Sequence, residues 1–76
     1  MNNPATSHLR NADHNHFVVV FRTGGTENCE WRATVPFASG RMADAKADEI
    51  RMGGRKALVK RVGEVVEHGL PVGWGF

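Results

Sequence analysis

Apolar and polar positions are most sharply ordered between His16 and Val35, where two strands can be read. Phe17, Val18, Val19, Val20 and Phe21 form an unbroken apolar run of high strand propensity. A polar, glycine-bearing turn follows, Thr23-Gly24-Gly25-Thr26-Glu27-Asn28. Cys29-Glu30-Trp31-Arg32-Ala33-Thr34-Val35 then alternates without a fault. Together these predict a β-hairpin. If Phe17, Val19 and Phe21 share a side with Trp31, Ala33 and Val35, one face is wholly apolar, and the loop must be odd, Gly24 to Thr26 or Gly24 to Asn28. An even loop sets Glu30 and Arg32 against Phe21 and Val19 instead. The odd register places Trp31 in the core and leaves Val18, Val20 and Arg22 on the second face, where Arg22 can pair with Glu30. Because Val18 and Val20 are apolar there, something should cover that face, either the C-terminal tail or another chain.

The pattern then changes period. Pro36 ends the second strand, since it cannot donate to a central ladder. Ser39 is suited to cap a helix running from Gly40 or Arg41 to about Met52, rich in alanine and free of a β-branched run. Ala43, Ala47 and Ile50 share its inner face and are small enough to let it lie close on the sheet, over Trp31. Asp48 and Arg51 are spaced to pair, and Gly53-Gly54 ends the helix. Lys56 to Val62 reads as a third strand ended by Gly63, and Glu64 to His68 as a short helical turn capped by Gly69. Leu70 to Phe76 is a glycine-punctuated apolar tail. The expected fold is therefore α+β, in the order β-β-α-β. The most apolar strand sits in the middle of a three-stranded sheet of order 2-1-3, with the helix on one face.

Length and composition narrow the picture. Seventy-six residues make one domain with a thin core, and a single cysteine, Cys29, provides no internal disulfide. Residues 1–15 are polar and aperiodic and read as a disordered arm, with residues 16–76 as the domain. No signal peptide or membrane-length apolar run is present, so a cytoplasmic protein is expected. A short, unstapled chain with an apolar strip at Val18 and Val20 and an open second strand is expected to form a homodimer.

Candidate chemistry is sparse. His8, His14 and His16 lie close in sequence, but no acid or cysteine cluster accompanies them, and no metal or other cofactor is expected. Thr23-Gly24-Gly25-Thr26 could cradle a phosphate, yet it joins two strands and reads more simply as a turn. Cys29 could act as a nucleophile with His16 or His68 as base, but nothing in the sequence brings them together, and it reads more simply as a small packing residue. The strongest signal is electrostatic: Arg51, Arg55, Lys56, Lys60 and Arg61 are five basic residues in eleven positions, with no acid between them. They are the candidate partner-binding residues, for a protein or for nucleic acid, against a plain solvated surface. The net charge of +2 permits either partner. Trp74 is a candidate interface anchor, or it folds back with Phe76 over Val18 and Val20.

Arg22-Thr23-Gly24-Gly25-Thr26 with the later Trp31, and the run through Met52-Gly53 and Ala57-Leu58-Val59 to Gly69-Leu70-Pro71, resemble small uncharacterised proteins encoded by bacteriophages and mobile elements. The likeness spans about residues 17–74. Arg55-Lys56 stands where relatives tend to carry an aromatic residue. The helix–Gly–strand segment also resembles half of a peptidoglycan-binding SPOR repeat, without a second half. The phage-like resemblance implies a genomic setting rather than a reaction and offers no catalytic residues to carry over. With the small size, it leads to the expectation of a non-enzymatic inhibitor of a host protein or nucleoprotein complex, of the anti-CRISPR kind. A small nucleic-acid-binding accessory protein is the alternative.

Overall fold

The computed structural model of the protein describes residues 7–23 and 30–70. Strands β1 (Phe17–Thr23), β2 (Glu30–Ala33) and β3 (Ala57–Arg61) form one open sheet in the order β2-β1-β3, with β1 antiparallel to both neighbours. Helix α1 (Gly40–Met52) lies between β2 and β3 in the chain, and a short helix α2 (Val62–His68) follows β3. The fold is α+β, with the most apolar strand in the centre as the pattern required.

The capping chemistry of α1 is legible residue by residue. Ser39 is extended, and its Oγ accepts from the N–H of Arg41 at 3.2 Å. At the other end Gly54 donates to Arg51 O at 2.9 Å and Arg55 to Ile50 O at 3.4 Å, the two bonds of a Schellman motif. Gly54, at φ 87°, supplies the left-handed residue that this closure demands. Ala43 and Ala47 are buried and Ile50 packs beside them, so α1 seats closely over β1 and β3, against Val19, Phe17, Phe21, Ala57 and Val59.

The hairpin register differs from the expected one. Val20 stands opposite Ala33, Phe21 opposite Arg32, Arg22 opposite Trp31 and Thr23 opposite Glu30. Six residues, 24–29, separate Thr23 from Glu30, so the connection is even. Trp31 is buried at 5% exposure, but it belongs to the face of Val18 and Val20 and not to the face under α1. The physical reason is that α1 rests on β1 and β3, leaving the same side of β2 wet. Glu30 and Arg32 occupy that wet side, exposed and paired with each other at 3.3 Å, so Glu30 does not pair with Arg22.

The second face is covered within the chain, as one of the two expectations had it, with Leu70 of the expected tail at the margin; the main cover, Leu9 with Val62 and Val65, was not foreseen. Val18 and Val20 are completely buried beneath Leu9, Val62 and Val65, with Ala12, Ala33, Leu58 and Leu70 around them. Leu9 ends a 3-10 turn, Ser7–Leu9, and is itself 0% exposed. Residues 7–16 thus belong to the fold and are not a disordered arm. Backbone bonds hold them: Val62 N donates to His16 O at 2.9 Å and Gly63 N to His14 O at 3.1 Å. Gly63 does not end β3, which stops at Arg61; it lies inside α2, where a Cβ would come within 3.1 Å of His14 Cβ. Val18 and Val20 therefore offer no strip to a second copy, which removes one support for a homodimer and the site role given to these two residues.

Beyond Ala33 the β1–β2 ladder is interrupted. Thr34 N donates to Val19 O at 3.0 Å, but the N–H of Val19 is received by Thr34 Oγ1 at 3.1 Å. The chain swings out through Val35 and Pro36 and returns at Phe37, which exchanges both backbone bonds with Phe17 at 2.6 and 2.8 Å. The return is one residue out of step with β2, as in a β-bulge. That single step moves Phe37 to the α1 side, where it packs with Phe17.

Two stability predictions follow from this core. Leu9→Ala should cost about 2–5 kcal/mol, as for any fully buried leucine, read as a lower midpoint in urea unfolding. An unchanged midpoint would show that the N-terminal turn is not part of the core. Thr34→Val, which strands the part-buried N–H of Val19, should destabilise by about 1–3 kcal/mol, whereas Thr34→Ser should be milder. Equal effects of the two substitutions would contradict the role given to Oγ1.

Candidate binding surface

The basic run starts at the C-terminal turn of α1, passes through the loop and ends with β3, and the structure gives its five members different surroundings. Arg51 is committed internally. Its Nε and Nη2 both donate to Ala57 O, at 3.1 and 2.7 Å, and Nη1 reaches Asp48 Oδ1 at 3.2 Å. The guanidinium fork thereby ties the end of α1 to the start of β3, a geometry the planar group is suited to.

Arg55 and Lys56 follow the Schellman turn and are exposed. The Lys56 carbonyl accepts from Arg22 N at 3.1 Å, which fixes the backbone where β3 begins. Lys60 and Arg61 are neighbours in β3 and so project to opposite sides of the sheet. Lys60, opposite Val18, lies on the α2 side with Nζ 3.5 Å from Glu64 Oε1. Arg61, opposite Phe17, lies on the α1 side with its guanidinium carbon 5.1 Å from the Phe17 ring centroid. The five do not form one basic face. They border one element, β3, along its length and on both sides.

Register also decides where the β3 backbone points. Arg22 N bonds Lys56 O and Val62 N bonds His16 O, so the even-numbered residues of β3 direct their N–H and C=O groups at β1. Ala57 and Val59 direct theirs away from the sheet, as Arg61 does its N–H, the Arg61 carbonyl being the N-cap acceptor of α2. The Ala57 carbonyl, turned outward, is the one to which Arg51 donates. No side-chain signal in the sequence marks this edge, because backbone direction depends on the pairing register.

The other candidates separate. His8 donates from Nε2 to Thr34 O at 3.0 Å, Asp13 Oδ2 lies 3.7 Å from His16 Nε2, and His14 meets Gly63 through its backbone. Among the described residues no group of three or more His, Cys, Asp or Glu converges as a metal site. Nor is any helix among them long and apolar enough to cross a membrane. Gly24 to Cys29, Trp74 and Phe76 lie outside the described residues, and with them the phosphate-cradle, nucleophile and anchor readings.

The different surroundings of the basic residues are separable by mutation. Arg51→Met should lower stability by about 1 kcal/mol through loss of the fork on Ala57, while Arg55→Ala should stay within about 0.5 kcal/mol of the parent. Equal losses in chemical denaturation would contradict the division into a structural and a surface arginine. Compared with protein-family models, with curated proteins and with solved structures, the chain matches none.

Proposed function

We propose that the protein is a non-enzymatic binding protein that works by occupying a macromolecular surface. In its sharpest form it is a phage- or mobile-element-encoded inhibitor of a bacterial defence complex, of the anti-CRISPR kind. The observation that carries the binding reading is the basic border of β3: Arg55 and Lys56 exposed at its start, Lys60 and Arg61 on its two sides. The inhibitor form rests on the resemblance through Arg22 to Thr26 and Trp31, together with the small size. A nucleic-acid role is less well supported, because Lys60 and Arg61 face opposite sides of the sheet and Arg51 is engaged within the fold. A homodimer retains two supports, the short unstapled chain and the open edge of β2, and the host cytoplasm is where an inhibitor of this kind would act.

The test is inhibition of a purified RNA-guided interference complex. The parent protein should co-elute with the complex and block target cleavage. Arg55→Glu combined with Lys56→Glu should fold normally and lose about tenfold or more in inhibitory potency, since exposed basic contacts steer and hold an acidic partner. Undiminished potency in that variant would remove the basic border from the function. Tight binding of bare oligonucleotides that collapses with added salt would instead favour the nucleic-acid reading.

A further inference from the structure

We propose that the outer edge of β3 is a strand-addition site that receives an extended, acidic peptide segment of a protein partner. The proposal rests on the binding reading above and names the partner class and the contact. β3 is a terminal strand of the sheet; Val59 turns its N–H and C=O, and Arg61 its N–H, away from β1, while the Arg61 carbonyl, at the N-cap of α2, accepts the first bond of that helix. An incoming strand therefore finds backbone donors and acceptors at the two-residue spacing a ladder requires. Ala57 is the limit at one end, because Arg51 already holds its carbonyl.

Charge selects the occupant. No acidic residue lies between Arg51 and Arg61 in the chain, and at the α2 end of β3 the side chains next to an added strand are basic on both faces, Arg61 on one and Lys60, which Glu64 meets at 3.5 Å, on the other. Arg61 flanks it on the α1 side and Lys60 on the α2 side. An added strand presents alternate side chains to those two faces, so carboxylates at successive positions would meet Arg61 and Lys60 in turn. Arg55 and Lys56 extend the positive border at the β3 start. A second copy pairing β3 with β3 would bring Lys60 and Arg61 of both chains into one ladder, where like charges oppose association. A nucleic acid has no backbone N–H and C=O ladder to match the edge.

The experiment uses the full chain and a capped peptide of about six residues with Glu at two successive central positions flanked by Val, so that one carboxylate lies on each face of a short strand. Amide chemical shifts and hydrogen exchange are followed by NMR. The expected result is a shift of the Val59 and Arg61 amides and slowed exchange at both on peptide addition. The same peptide with alternate backbone nitrogens methylated, on its pairing edge, should bind at least about tenfold more weakly, the equivalent of one lost backbone hydrogen bond. A Lys-for-Glu peptide should not bind. Equal affinity of the methylated peptide overturns the proposal, as does perturbation confined to Arg55 and Lys56. Slow exchange of Val59 in the free protein also overturns it, since the edge would then already be covered by the chain itself or by a second copy. If the interference complex is bound while the Val59 and Arg61 amides remain unprotected, the strand-addition site fails and the broader binding reading stands; if the complex is not bound, that reading fails independently.

Discussion

Burial of β1 on both of its faces is the constraint on which the rest of this structure depends. Val18, Val19 and Val20 are consecutive and all completely buried. In a strand, consecutive residues point to opposite sides, so three in a row cannot be buried by one layer. Each fully buried valine contributes about 1.5–3 kcal/mol, a large share for a domain of marginal stability. The protein meets the requirement with two small covers. Helix α1 brings alanines close to Val19, and Leu9 joins α2 over Val18 and Val20.

Register then distributes the remaining residues. With the second face covered, Trp31 has a core to enter on that side, and Glu30 and Arg32 can occupy the wet side of β2 beyond the reach of α1. The one-residue step between Thr34 and Phe37 lets the same chain serve both cores. Ala33 packs with Val20 on one side, and Phe37 with Phe17 on the other. Thr34 makes the step possible by using its hydroxyl where a strand would use its carbonyl. The histidine-rich segment is drawn in by the same logic, since its His14 and His16 carbonyls receive the first N–H groups of α2.

The candidate surface is a by-product of that arrangement. With β1 saturated by two neighbours, β3 is left with an outward-turned backbone centred on Val59, since Arg51 holds the Ala57 carbonyl at one end and α2 takes the Arg61 carbonyl at the other. The basic residues around it are not equivalent: one braces the helix, one stacks over Phe17, one meets Glu64, and Arg55 and Lys56 stand exposed. A count of charges along the chain cannot distinguish these surroundings, whereas the geometry does.

Local physics was legible in the sequence. The apolar run of β1, the Ser39 cap, the alanine face of α1, its Gly53-Gly54 stop and the Asp48–Arg51 pair all depend on near neighbours, and the strand order followed from putting the most apolar strand in the middle. The alternation in β2 also correctly separated Trp31 and Ala33 from Glu30 and Arg32. Which side of the sheet each set would face was a different matter. It hangs on the parity of the hairpin connection and on what covers the second face, and both involve residues far apart in the chain. Leu9 was invisible for the same reason: one apolar residue in a polar stretch carries no periodic signal, and only its seat over Val18 and Val20 makes it core. The outward edge of β3 likewise exists only once pairing with β1 has chosen which backbone groups are used. Sequence determined the elements and their polarity; tertiary structure decided faces, covers and edges, because those follow from contacts that no local window contains.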